Sequence, residues 1–268
     1  MPQVRTQLVE TQEELPKVET QEETQPMPRY RKKIWSGDVF EIEEYYSPRA
    51  IGKKYERGKN EMLTTKEQLE RNLRIARKKL ARLVNANFKA GDLFLTLTHE
   101  KWVNRKDAKR LLANFIERLR RQRKKDGLPE LKYIVITESE KKRVHHHVLI
   151  NRIDRTAAEL RTLWGLGRID IKPLEAGADK TAFAQYITKE SVDRGERRWS
   201  PSRNLTQPKV EVLKLASARA KKRPQAPKGY HTVEYSEYFS EEIGAIYYLK
   251  AIRIGGTDFG EGKERKDE

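Results

Sequence analysis

The chain has no cysteine among its 268 residues, so neither a disulfide nor a thiolate metal site is available to it. Any metal must be held by histidine and carboxylate. Apolar mass is also scarce, with hydrophobic residues at 36%, and no run approaches the roughly 20 apolar residues that a bilayer span requires. The N-terminus lacks the basic flank and apolar core of a signal peptide. A soluble, cytoplasmic protein with no membrane partner is the expectation. Acid is in short supply as well: 40 acidic residues against 57 basic ones leave a net charge of +17. The first 26 residues hold two basic and six acidic side chains, so the rest of the chain carries +21. Such a charge points to a polyanionic partner, whether DNA, RNA or an acidic membrane surface.

Large apolar residues are almost missing from residues 1–28, where Val9-Glu-Thr-Gln-Glu-Glu14 is repeated as Val18-Glu-Thr-Gln-Glu-Glu23. This segment reads as a disordered acidic tail, with too little apolar surface to offset the entropy of ordering. A folded unit is expected over 29–215. Residues 216–268 read as a basic linker and a C-terminal extension, whose strand-like AIYYLKAIRI (245–254) either completes the sheet or caps it.

Within the folded unit, Asp38 to Tyr46 alternates weakly as a strand. Thr64-Thr-Lys-Glu67 forms a capping box for a helix with Leu69, Leu73, Ala76, Leu80 and Leu83 on its apolar stripe and Arg74, Arg77, Lys78 and Arg82 opposite. A strand at 92–98 precedes a helix capped by Asn104 that carries Ala108, Leu111, Leu112, Phe115, Ile116 and Leu119 and stops at Gly127. Strands at 131–138 and 144–150 form a hairpin; a helix near 156–163, a strand at 168–172 and a helix near 179–192 follow. The order predicts an α+β fold, an antiparallel sheet with helices packed on its faces.

The hairpin contains the most informative run, Val144-His-His-His-Val-Leu-Ile150. Strand side chains alternate between faces, so His145 and His147 point the same way, about 7 Å apart. Neutral imidazole is a common metal ligand, and Glu138, at the end of the preceding strand, adds the hard oxygen that a divalent cation prefers. The plainer reading is packing or hydrogen-bonded histidine. Further along, Tyr186 and Lys189 are three apart on the predicted helix and therefore neighbours on its surface. A phenol is a weak nucleophile at neutral pH, and an adjacent ammonium favours its ionised form. Phe183, Tyr186 and Ile187 also fit an ordinary buried stripe.

In this order, FLTLT (94–98), Glu138 with HHHVLI (145–150) and YITK (186–189) resemble the HUH endonuclease superfamily. Within it, the chain is most similar to rolling-circle replication initiators (Rep proteins) of bacterial plasmids, phages and related elements, in particular the Firmicutes-type replication-associated proteins. NANF (85–88), WGLGRIDI (164–171) and RRWSPSRNL (197–205) add to the likeness, which covers about Glu41 to Val212. The resemblance implies a ferredoxin-like palm with a central antiparallel sheet. It implies that Glu138, His145 and His147 bind one Mg²⁺ or Mn²⁺, and that Tyr186 attacks a DNA phosphate to form a 5′-phosphotyrosine and a free 3′-OH. Lys189 takes the place of the lysine that assists near the scissile phosphate, and His146 turns to the opposite sheet face.

The implied partner is single-stranded or hairpin origin DNA. Because no Walker-type phosphate loop occurs, a host helicase and replication machinery are implied too. Ala182 stands where two-tyrosine initiators carry a second tyrosine. DNA contacts are expected from Lys141, Lys142 and Arg143 in the hairpin loop and from Arg197, Arg198, Trp199 and Arg203 beyond the tyrosine helix. The rival readings are a non-catalytic nucleic-acid-binding module, a phosphodiesterase that uses water, and a transposase- or relaxase-type strand transferase.

Overall fold

The computed structural model describes residues 28–47, 65–138, 143–153, 155–189, 199–216, 223–240 and 244–255. The acidic tail and the loop residues Lys141, Lys142, Arg197 and Arg198 lie outside them. In chain order, β1 (Arg29–Ser36) and β2 (Val39–Tyr46) lead to α1 (Lys66–Asn87), β3 (Leu93–Thr98), α2 (Arg105–Lys125), β4 (Tyr133–Glu138) and β5 (His145–Ile150). Then come α3 (Ala157–Trp164), β6 (Ile169–Pro173), α4 (Thr181–Ile187), β7 (Ser200–Pro201), β8 (Lys209–Lys214), β9 (Tyr230–Ser240) and β10 (Gly244–Arg253).

The described strands form two antiparallel sheets of five, so the α+β expectation holds. One sheet has the order β6-β3-β5-β4-β7. Its succession β3-α2-β4-β5-α3-β6, with β3 and β5 in the middle, is the ferredoxin-like double β-α-β arrangement. Alternation sorts its side chains cleanly. Leu95, Leu97, Val135, Val148, Ile150 and Ile169 face α2 and α3, where Phe115, Leu119, Leu160 and Trp164 complete one core. Phe94, Ile134, Ile136 and Leu149 face the other way, against Leu80, Ala81 and Val84 of α1 and Ala184 and Ile187 of α4. The active-site candidates lie on this second face.

Local signals explain the boundaries. Asn104 caps α2 by accepting from Asp107 N at 2.9 Å, and Thr156 with Glu159 forms a full capping box on α3. In α1 the cap is Thr65, which accepts from Gln68 N at 3.2 Å, one residue later than the expected Thr64. Gly167 cannot be replaced cheaply: its φ is +149°, and a Cβ there would sit 2.4 Å from Thr98 O.

The asparagines of NANF act as a joint. Asn85 accepts from Lys180 N at 2.8 Å, tying α1 to the start of α4, while Asn87 exchanges hydrogen bonds with Thr206 N and O at 2.8 Å. Ser202 exchanges two more with Tyr133, which anchors β7 beside β4.

The second sheet, ordered β8-β1-β2-β10-β9, was not foreseen. The C-terminal strands neither extend the palm nor cap it; β10 pairs with β2. Phe40, Ile42, Leu249 and Ala251 form its small core, and Arg29 and Arg31 both bind the buried Glu44. Its other face meets α1. Arg82 reaches Glu41 at 2.7 Å and Glu43 at 2.6 Å, and Lys78 reaches Glu43 at 3.3 Å. Part of the basic face of α1 is thus spent on ion pairs with the second sheet. Among the described residues no helix is long and apolar enough to cross a membrane.

Candidate active site

Strand pairing places Glu138 directly opposite His145, and His147 opposite Thr96 on the other side. One carboxylate oxygen of Glu138 then lies 2.7 Å from His145 Nε2 and 3.2 Å from His147 Nε2. The two imidazole rings are 5.1 Å apart and nearly perpendicular. All three side chains are only partly buried, so the cluster is open to a ligand.

Hydrogen bonds behind the rings fix how they face. His145 Nδ1 is 3.3 Å from the carbonyl of Arg143. A carbonyl can only accept, so Nδ1 carries a proton, and in the neutral ring Nε2 would be the nitrogen left to face a cation. A bare nitrogen 2.7 Å from a carboxylate oxygen is repulsive unless a proton or a cation lies between them. Thr96 Oγ1, 3.2 Å from Nδ1 of His147, holds that ring in its orientation. The donor atoms of the triad all lie within 4.8 Å of one another. Adjacent ligands of an octahedral ion with bonds of about 2.1 Å are about 3 Å apart, so the donor set suits a small divalent cation. In the metal-free protein burial would raise the Glu138 carboxyl, but hydrogen bonds from His145 and His147 and their charge bring it down to about 2.

His146 belongs to a different environment. It is fully buried among the core residues beneath α2 and α3, 3.2 Å from His99 Nε2 and 2.9 Å from Thr137 Oγ1. Burial, reinforced by the charges of His99 and His145, pushes its pKa down to about 3. The unfolded chain, at an ordinary value of 6.5, takes up the proton sooner. Stability is therefore lost as pH falls below about 6.5, with up to about 1.4 kcal/mol per pH unit from this ring. Urea unfolding of metal-free protein between about pH 7 and pH 5 measures the slope. A midpoint that does not move there would contradict a buried neutral His146.

Tyr186 is 62% exposed on the same sheet face as the triad. Phe94 links them: its ring stacks on His147 at 5.4 Å and 13°, and meets Tyr186 edge-on at 6.5 Å. Helix α4 is short and is held at both ends. Asp179 accepts from Thr181 N at 3.0 Å and pairs with Lys250 of the second sheet at 2.8 Å. Arg77 of α1 donates to Thr188 Oγ1 and Thr188 O, both at 3.2 Å. The helix ends at Ile187 with Thr188 as its cap, short of the expected length; residues 190–192 lie outside the described ones. Lys189 is not on the helix; it is an exposed residue just past it, linked by a bond from Lys189 N to Tyr186 O at 3.2 Å.

Arg77→Met should remove about 1.5 kcal/mol and lower the thermal midpoint by about 3–6 °C. Differential scanning fluorimetry checks this; an unchanged midpoint would make the clamp inconsequential.

The remaining expected DNA contacts are dispersed. Arg143 donates to Glu100 O at 3.1 Å, and Arg203 is exposed. Trp199 is partly buried against the α1/α4 core, which leaves only part of its ring for a base. Sequence reasoning missed Phe94, Arg77 and Lys250. None has a local signal, because each acts across contacts distant in the chain. Trp102, 79% exposed on the loop after β3, also went unnoticed.

Residues 92–191 match the family model of replication-associated protein ORF2/G2P. The matched segment runs from just before β3 to just beyond α4, so it contains the ferredoxin-like unit, the triad and Tyr186. This likeness supports a part in replication initiation. No curated protein and no solved structure matches the chain.

Proposed function

We propose that the protein is a site- and strand-specific nicking and joining enzyme for single-stranded DNA that initiates rolling-circle replication. What carries the reading is the convergence of Glu138, His145 and His147 with an exposed Tyr186 on one sheet face, joined through Phe94. Glu138, His145 and His147 would hold Mg²⁺ or Mn²⁺, which supplies positive charge against a non-bridging phosphate oxygen.

The phenolic oxygen of Tyr186 forms a bond to phosphorus as the bond to the 3′ oxygen breaks. The phenol's proton leaves to solvent, the departing oxygen takes one up, and the products are a 5′-phosphotyrosyl end and a free 3′-OH. Because the new ester keeps the energy of the phosphodiester, attack by a 3′-OH reverses the step and rejoins strands. Lys189, three residues beyond Tyr186 and just past the helix, offers an ammonium to charge that grows during the transfer.

The test uses labelled single-stranded hairpin oligonucleotides and Mn²⁺, with a denaturing gel to reveal a covalent adduct. Cleavage without an adduct would favour a phosphodiesterase that uses water, and binding without cleavage a non-catalytic module. Lys189→Ala should slow single-turnover adduct formation about tenfold or more while oligonucleotide affinity changes little. A pure binding defect would move Lys189 among the phosphate anchors.

A further inference from the structure

Beside Tyr186 the palm opens into a cleft of about 510 Å³, walled by Phe94, Leu174, Ala176, Ala182, Phe183 and Tyr186, with Lys172 at its edge. We propose that this cleft holds an unstacked nucleobase of the DNA strand whose phosphate is presented to Tyr186. The proposal rests on the nicking reading and names where that substrate's base goes.

Three observations choose the occupant. The lining is mostly apolar and aromatic: the half-buried Phe183, set edge-on against Phe94 at 5.2 Å, and the exposed Tyr186 are the rings a flat base entering the cleft can meet. The wall opposite the helix is built and not merely a loop. Lys180 is buried and donates to the carbonyls of Glu175 and Gly177, while Leu174 exchanges backbone bonds with Asp92 and Gly91. The cleft is also continuous with the phosphate end of the site, since Phe94 and Tyr186 belong to both.

Charge fits the same occupant. Asp179 at the cleft is paired with Lys250, and Lys172, exposed and only loosely paired with Asp170 at 3.7 Å, can turn to a backbone phosphate at the rim, on the side away from the exposed Glu175. An unpaired strand leaves its bases free of a duplex stack, and a pocket that takes one of them fixes the nucleotide whose phosphate is attacked.

The test measures binding in a Tyr186→Phe background, so that it does not depend on cleavage. Ala182→Trp fills the cleft from an exposed helix position, and Ala176→Leu narrows it from the opposite wall. The probes are a fluorescein-labelled single-stranded oligonucleotide of mixed sequence and the same backbone carrying abasic sites throughout. Each variant should bind the mixed oligonucleotide about tenfold more weakly, the size of one lost base stack, and the abasic strand equally well. Unchanged thermal midpoints and unchanged Mn²⁺ titrations confirm that fold and triad are intact.

Equal losses on both probes would mean that the cleft takes backbone, and no loss in either variant that it takes no DNA; both results overturn the proposal. If the wild type forms no phosphotyrosyl adduct and the base-dependent loss still appears, the nicking reading fails alone. An adduct without that loss sinks only the cleft.

Discussion

Tyr186→Phe is expected to abolish the covalent DNA adduct completely, while oligonucleotide affinity stays within a few-fold and the thermal midpoint is unchanged. The variant removes one oxygen and leaves a ring of the same shape, so the edge-on contact with Phe94 survives. Because Tyr186 is 62% exposed, its hydroxyl supports no buried network, and the stability change should stay within about 0.5 kcal/mol. The loss therefore isolates the nucleophile. Single-turnover reactions with Mn²⁺, resolved on a denaturing gel, give the result directly. Adduct formation at the wild-type rate would sink the assignment. Other tyrosines are poorly placed to substitute: the Tyr248 hydroxyl is committed to Glu41 at 2.8 Å, and the Tyr230 hydroxyl accepts from Arg253 at 3.1 Å.

How far the sequence could be read depends on whether a feature is local. The cap at Asn104, the hairpin that sets Glu138 against His145, and the alternation that splits His145 and His147 from His146 are consequences of neighbouring residues. All are present in the structure. The ferredoxin-like order follows from the same local elements, because short connections leave few topologies. The second sheet depends on pairings such as Tyr248 with Glu43, more than two hundred residues apart. Its first strand, RYRKKIWS, hides two inward positions, Tyr30 and Ile34, among four charges, two of which, Arg29 and Arg31, are engaged by Glu44.

The candidate site divides in the same way. Its donors were legible because strand periodicity aims them. What holds the tyrosine helix was not, because Arg77 looks like one more cation on a solvated face until Thr188 is seen beside it. Lys189 was placed on the helix by extending the helical period past Ile187, where the helix ends. Phe94 sits in a run, FLTLT, that any strand could contain. Only the packed fold reveals that its ring connects the triad to the nucleophile.

The three adjacent histidines should separate sharply when each is replaced by alanine. His145→Ala and His147→Ala each remove one donor from a set of three and should lower Mn²⁺ affinity more than about a hundredfold, since even losing a residue that merely orients a ligand costs about 10–100-fold. Their effect on stability should be small, because both rings lie on the partly open face of the sheet. His146→Ala should do the reverse. It removes a fully buried ring and leaves Thr137 Oγ1 and His99 Nε2 without their partner beneath α2 and α3. The combined cavity and lost hydrogen bonds should cost about 2–4 kcal/mol and lower the thermal midpoint by roughly 5–15 °C. Metal affinity of the protein that remains folded should change only a few-fold. Calorimetric Mn²⁺ titrations run beside thermal melts give both quantities for all three variants. A folded His146→Ala protein that no longer binds Mn²⁺, or a His147→Ala protein that binds it normally, would mean that the cation is held by a different set of residues from Glu138, His145 and His147.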